Sequence, residues 1–378
     1  MGFHEFSSPY DWSRIAAYKR TAKAAFGGMI DLSVGSPVDP VPDSVRKALA
    51  VAANDPNAYG YPATAGTADL RAAIAEWFSA TRNVDLQAIH ADVVPTVGSK
   101  EGVALMASLL HFGEDDVVVQ PKVSYPTYEI GTQLAGAQVL KVDDVADVAS
   151  WRNVPGVKAV WVNSPCNPTG EVYSAERMAG IVAAAREIGA VVLSDECYAL
   201  MQWRGATNSA DDDPLQSTPC ALRSDVCAGS AEGVLVLYSL SKQSNMAGYR
   251  TAFIAGDESL IASMSAYRKQ IGQIIPGPVQ AAMAAGLRDL ESVKVQYARY
   301  RERLGVLVSA LRAYGYCTDM PDGALYVWVR AKSGDCWTDM EQLAKIGIIA
   351  SPGEFYGAPE CLRFSATASD EAIASAAE

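Results

Sequence analysis

Between residues 67 and 239 the sequence alternates short runs of valine, isoleucine and leucine with longer amphipathic stretches. This alternation constrains the fold more than any other feature. The runs DVVVQ (116–120), KAVWVN (158–163), AVVLSD (190–195) and GVLVLYS (233–239) are apolar at successive positions, so each strand is expected to be buried on both faces. TADLRAAIAEWFSATR (67–82) and AERMAGIVAAAREIG (175–189) instead have the spacing of helices that bury one face. Doubly buried strands separated by such helices predict an α/β region with a mostly parallel sheet flanked by helices, running from 43 to about 272.

The texture changes near Pro276. A long helical stretch over 278–314 is followed by a short strand at ALYVWVR (324–330), a helix at TDMEQLAKIG (338–347) and a final strand at LRFSA (362–366). With 378 residues the chain is long enough for two cores. The expected organisation is an N-terminal segment 1–42 contributing to a small domain, a large domain 43–275, and a small C-terminal α+β domain 276–378. Residues 205–232 are polar and read as the least ordered part, a surface loop with a short helix.

Charge narrows the partners. The 43 Asp and Glu against 31 Lys and Arg give −12, which disfavours nucleic acid or an anionic membrane surface. No stretch approaches the roughly 18 consecutive apolar residues of a membrane span. The first residues, MGFHEFSSPYDW, do not read as a signal peptide. Seven scattered cysteines without a C-x-x-C pair, and three histidines away from ligand spacing, point to free thiols, a cytoplasmic setting and no metal site.

Ligands of parallel sheets bind at the carboxyl ends of the strands. Here those ends read SPCNPTG, Asp195-Glu196-Cys197-Tyr198, Ser239-Leu240-Ser241-Lys242 and Gly98-Ser99-Lys100-Glu101. Each has a plain structural reading: a stiff proline turn, a helix cap, a solvated lysine, a serine-capped helix start. Together they place one amine, one carboxylate and one amide-rich helix start on a single edge. Those are the groups that an aldehyde-bearing cofactor with a phosphate and a ring nitrogen requires, which is pyridoxal phosphate.

The segments DLSVGSPVDPVP (31–42), YPATAGTADLR (61–71), VGSKEG (97–102), SYPTY (124–128), SPCNPTG (164–170), SDECY (194–198), SLSKQSNMAGYR (239–250), PDGALYVW (321–328), SPGEFYG (351–357) and LRFSA (362–366) carry a family resemblance. Over essentially its whole length the chain resembles the fold-type I pyridoxal-phosphate aminotransferases of the aspartate aminotransferase superfamily, class I/II. In detail it most resembles the actinobacterial N-succinyldiaminopimelate aminotransferases. The resemblance implies that Lys242 forms the internal aldimine and then moves the proton, that Asp195 meets the pyridine nitrogen, and that Asn167 and Tyr198 meet the phenolic oxygen. It implies that Tyr125 covers the ring, and that Ser99, Lys100, Ser239 and Arg250 hold the phosphate with Tyr61 reaching across from a second copy of a homodimer. Gly35, Asn167 and Arg363 are the implied substrate-binding residues, with Arg363 clamping the α-carboxylate.

The expected reaction is ping-pong transamination between glutamate/2-oxoglutarate and N-succinyl-LL-2,6-diaminopimelate. Another class I/II aminotransferase, a pyridoxal-phosphate C–S lyase and a non-catalytic regulator on the same fold stay open as alternatives. No segment marks the residue that grips a distal carboxylate; Arg268 is one candidate.

Overall fold

The structure, a computed structural model, describes residues 10–203, 215 and 218–378. A short N-terminal strand, β1 (Ile30–Asp31), precedes a large sheet made of β2 (Ala91–Val97), β3 (Val117–Pro121), β4 (Gln138–Val142), β5 (Val157–Asn163), β6 (Val191–Asp195), β7 (Val234–Ser239) and β8 (Thr251–Asp257). Their order is β2-β8-β7-β6-β5-β3-β4. Strands β7, β6, β5, β3 and β4 are parallel neighbours, while β8 runs antiparallel to both β2 and β7. The sheet is therefore mostly parallel, with helices on both faces.

The period of two along each strand sorts side chains into two cores. On β7, Val234, Val236 and Tyr238 join Val160, Val192 and Trp77 on one face. Leu235 and Leu237 join Trp161, Leu193 and Met106 on the other. This double burial is why the strands read as unbroken apolar runs. Local chemistry starts the covering helices. The Ser174 hydroxyl accepts from Arg177 N at the start of Ala175–Glu187, and the Asp257 carboxylate accepts from Ser259 N and Leu260 N before Glu258–Gln270.

The second sheet is antiparallel, in the order β11-β12-β9, from β9 (Tyr326–Arg330), β11 (Ser351–Pro352) and β12 (Cys361–Ser365). A short β10 (Ile348–Ile349) pairs in parallel with β1, so the N-terminal segment is laddered onto the C-terminal part of the chain. The 24-residue helix Leu290–Ala313 starts at Asp289, whose carboxylate accepts from Ser292 N. It packs Tyr300, Leu304, Leu307 and Leu311 against Tyr326, Val327 and Phe364.

The expectation of a surface loop over 205–232 divides in two. Residues 205–214, 216 and 217 lie outside the described residues. From Thr218 onward the expected short helix is found, at Ser224–Cys227, but in a packed segment rather than a surface loop: Cys220, Ala221, Leu222, Val226 and Cys227 are buried. Its polar backbone is tolerated inside because Arg82 Nη2 donates to Pro219 O (2.9 Å) and Ala221 N donates to Glu196 Oε1 (2.8 Å). Among the described residues no helix is long and apolar enough to cross a membrane.

Topology sets the site. Because β8 is antiparallel to both neighbours, β2 points the same way as β5, β6 and β7. The C-terminal ends of these four strands therefore share one edge with Arg250, just before β8.

Candidate active site

A cavity of about 250 Å³ opens at that edge, between the two sheets. One end is built to receive an anion. Gly98, at φ 79°, turns β2 into the helix Ser99–Leu109, and no side chain caps that helix. Ser99 is thus not the cap, and its hydroxyl stays with the cleft. A Cβ on Gly98 would overlap the Arg250 guanidinium, so glycine is required for the close approach. Arg250 adopts a left-handed conformation (φ 57°), which folds its guanidinium back so that Nη1 donates to Ala247 O (2.8 Å). Ser239 Oγ accepts from Ser241 N (3.1 Å) and starts the single turn that carries Lys242. The turn amides, three serines and one guanidinium form the anion end.

The floor is Asp195, the last residue of β6. Its Oδ1 accepts from Cys197 N (3.1 Å) and its Oδ2 from Tyr128 Oη (2.8 Å). Tyr128 is itself fixed by stacking on Trp161, with centroids 4.4 Å apart. Among the described residues no cation pairs with Asp195. Burial holds its pKa above the usual carboxylate range, against the opposing hydrogen bonds from Tyr128 and Cys197. A buried carboxylate in this state calls for a positive donor from the cleft.

Lys242 projects between the floor and the second sheet, and its Nζ donates to Gly35 O. Burial draws its pKa down to about 8; Arg363 and Arg250 push the same way and Cys197 opposes them. About a tenth of the amine is therefore uncharged and nucleophilic at pH 7, rising to about half at pH 8.

The opposite wall comes from the small sheet. Arg363, on β12, is buried; its Nη1 donates to Asn167 Oδ1 (2.7 Å) and its Nη2 to Ser33 O (2.8 Å). Its Nε has no partner among the described residues, and the guanidinium lies over the rings of Tyr326 (4.0 Å) and Tyr356 (4.7 Å). Among the described residues no carboxylate neutralises it. At the outer rim stand Tyr10, Trp12 and Lys100, with Lys100 Nζ 5.4 Å from the Tyr10 ring centroid.

Of the residues singled out in the sequence, Gly35, Ser99, Lys100, Tyr125, Asn167, Asp195, Tyr198, Ser239, Lys242, Arg250 and Arg363 line this one cleft. Tyr61 does not; it is fully exposed on this chain's surface. Arg268 is excluded as a substrate ligand. It is fully buried away from the cleft, Nη1 and Nη2 donating to the two Glu101 carboxylate oxygens (2.8 and 3.1 Å). Cys197, Ser241, Tyr326 and Tyr356 also line the cleft, and Tyr128 supports it from behind. Ser241 and Cys197 lay inside the quoted motifs, where their proximity to Lys242 and Asp195 was a usable signal. Tyr326 and Tyr356 also lay inside quoted segments, PDGALYVW and SPGEFYG, but nothing in those segments singled out the tyrosines as cleft residues.

The family of aminotransferases of class I and II matches residues 27–378. The 4-dedimethylamino-4-oxo-anhydrotetracycline transaminase of Streptomyces rimosus is 40% identical over 97% of this chain and 97% of its own length. A probable aminotransferase of Mycobacterium tuberculosis is 39% identical over 97% of this chain and 84% of its own. Among solved structures, a probable N-succinyldiaminopimelate aminotransferase from Thermus thermophilus superposes with a TM-score of 0.84 at 27% identity, covering 97% of this chain and 98% of that one.

Proposed function

The chain belongs to the pyridoxal-phosphate-dependent aminotransferases of class I and II, and from that premise we propose that it exchanges an amino group between glutamate and a 2-oxo acid with a long anionic side chain. The leading acceptor is N-succinyl-2-amino-6-oxopimelate, with N-succinyl-LL-2,6-diaminopimelate as donor in the reverse direction. The observation that carries this reading is the charge inventory of the cleft: among the described residues, a buried carboxylate without a cation and a buried guanidinium without an anion line the cleft with Lys242.

The residues fit the cofactor. Asp195 lacks the cationic donor that a protonated pyridine nitrogen is, and the Ser99, Lys100, Ser239 and Arg250 end suits a phosphate. Tyr125, Asn167 and Tyr198 line the same cleft; Tyr125 would cover a ring face, and Asn167 and Tyr198 would meet the phenolic oxygen. When bound, pyridoxal phosphate supplies an electron sink for the pair left at Cα. Everything else falls to the chain. Arg363 and Gly35 take the α-carboxylate of each substrate in turn, which places Cα beside Lys242. Lys242, uncharged in part near pH 8, accepts the proton from Cα and returns it on the other side of the exchange. A second copy of the chain brings Tyr61 to the phosphate, giving a homodimer that works in the cytoplasm.

Lys100 supports the acidic side chain of the acceptor. Its ammonium stands at the mouth of the cleft among Tyr10 and Trp12, and no carboxylate pairs with it among the described residues. The kinship with the Thermus protein supports the same acceptor. The kinship with the Streptomyces transaminase favours a second reading, a bulky carbocyclic ketone as acceptor against the aromatic rim.

Two measurements test this. Lys242→Ala should abolish the visible absorbance of the bound cofactor and nearly all turnover; a variant that keeps the band without substrate refutes the lysine assignment. A coupled assay with 2-oxoglutarate should turn over succinyldiaminopimelate faster than N-acetylornithine, aspartate or aromatic amino acids. Preference for one of the others, or for an amine of a carbocyclic ketone, removes the named acceptor and leaves the transamination standing.

A further inference from the structure

Tyr326 touches both halves of the cleft at once. Its hydroxyl lies 2.6 Å from Tyr198 Oη, and the two rings meet edge to face at 5.6 Å. Its ring face lies under the Arg363 guanidinium at 4.0 Å. The side chain is 2% exposed and held by register: Arg363 opposes Trp328 and Ser365 opposes Tyr326, so positions two apart on β9 and β12 share one face. Gly35 completes the slot, because a Cβ there would overlap the Tyr326 hydroxyl.

We propose that Tyr326 is a positioning residue with two tasks: its hydroxyl donates to Tyr198 Oη and so directs the Tyr198 proton toward the cofactor's phenolic oxygen, and its ring holds Arg363 for the substrate carboxylate. The proposal rests on the aminotransferase reading above. A phenol has one proton to give, so in this pair only one hydroxyl donates to the other. The guanidinium over the Tyr326 ring polarises that phenol and makes it the donor. Tyr198, having accepted, keeps its proton for the cleft and becomes a stronger donor there. Charge drawn toward the phenolic oxygen makes the linked Lys242 nitrogen less basic.

The test uses the purified holoenzyme, read by the pH midpoint of its visible absorbance and by the affinity for a non-reacting dicarboxylate, glutarate. Tyr326→Phe keeps the ring and removes the hydroxyl. The midpoint should rise by about half to one pH unit, the worth of one hydrogen bond, with glutarate affinity changed by less than about twofold. Tyr326→Leu removes both, so the same rise should come with glutarate binding weakened about five- to thirtyfold, the range of a desolvated cation–π contact. A midpoint that stays put or falls in Tyr326→Phe overturns the first task. Unchanged glutarate affinity in Tyr326→Leu overturns the second. Should Tyr326→Leu not fold, Tyr326→Phe still decides the hydroxyl's role. A wild-type protein without a pH-sensitive visible band would instead sink the aminotransferase reading, before Tyr326 is at issue.

Discussion

Two buried arginines sit on opposite sides of the same sheet edge and are treated in opposite ways. Below the edge, Arg82 has a side chain with no exposure and meets Glu196 at 3.0 Å, with Thr218 Oγ1 and Pro219 O as further acceptors. In the cleft, Arg363 is held, among the described residues, only by neutral oxygens, from Asn167 and Ser33, and by two aromatic faces. The first arrangement is closed: its charge is cancelled and what remains is cross-linking between the helix end, β6 and the segment after Thr218. The second is open, because desolvation has been imposed and the compensating charge is left to a ligand. Arg268 with Glu101 belongs with the first kind.

The largest effect that could break this contrast is functional. Arg363→Ala should lower kcat/KM by about 10²–10³-fold, the cost of leaving a buried carboxylate unmatched. It should leave the melting temperature unchanged or raised, since an unneutralised buried charge is removed. A lower melting temperature with unchanged KM would make Arg363 structural and erase the distinction. The next effect runs the other way. Glu196→Gln strands Arg82 and should cost about 3–5 kcal/mol of stability, seen as a lower denaturant midpoint with KM little altered; a KM effect without a stability loss would contradict it. The smallest concerns Lys242, another cation facing the cleft with no carboxylate paired to it among the described residues. Its depressed pKa predicts that the apoprotein's amine reacts with a small aldehyde with a midpoint near pH 8 rather than 10.5. The sign follows from burial favouring the neutral form. Between these two values the unfolded chain binds the extra proton, so stability rises with pH across that window. A midpoint near 10.5 would show the amine to be solvated.

The same contrast separates what the sequence disclosed from what it hid. The strand ends were legible because a doubly buried run must stop somewhere, and the residue at its stop is fixed by the sheet. Asp195 and Ser239 are placed that way, while Asn167 lies four residues beyond the end of β5, where its backbone N donates to Asn163 Oδ1. Whether a charge is closed or open was not legible, since that depends on partners far along the chain. Arg268 looked available until Glu101, 167 residues away, was found against it. Tyr326 and Tyr356 lay in the quoted segments PDGALYVW and SPGEFYG, yet their part in the cleft was hidden, because it depends on how β9 and the short helix Gly353–Tyr356 pack against Arg363 on β12. Composition misjudged the stretch after Thr218 for the same reason: its polar backbone is satisfied by Arg82 and Glu196, which lie outside it.

The close approach of Gly98 and Arg250 has a consequence for how such a chain can vary. Any side chain at position 98 would have to displace the guanidinium, and so the two positions cannot be sampled one at a time. A scan of single exchanges would score the glycine as intolerant without revealing why. Grafting either the 97–102 or the 239–250 segment alone from a distant homologue would break the anion end even if each segment were sound by itself. The two segments are one unit of inheritance, separated in the sequence by five of the seven strands of the large sheet.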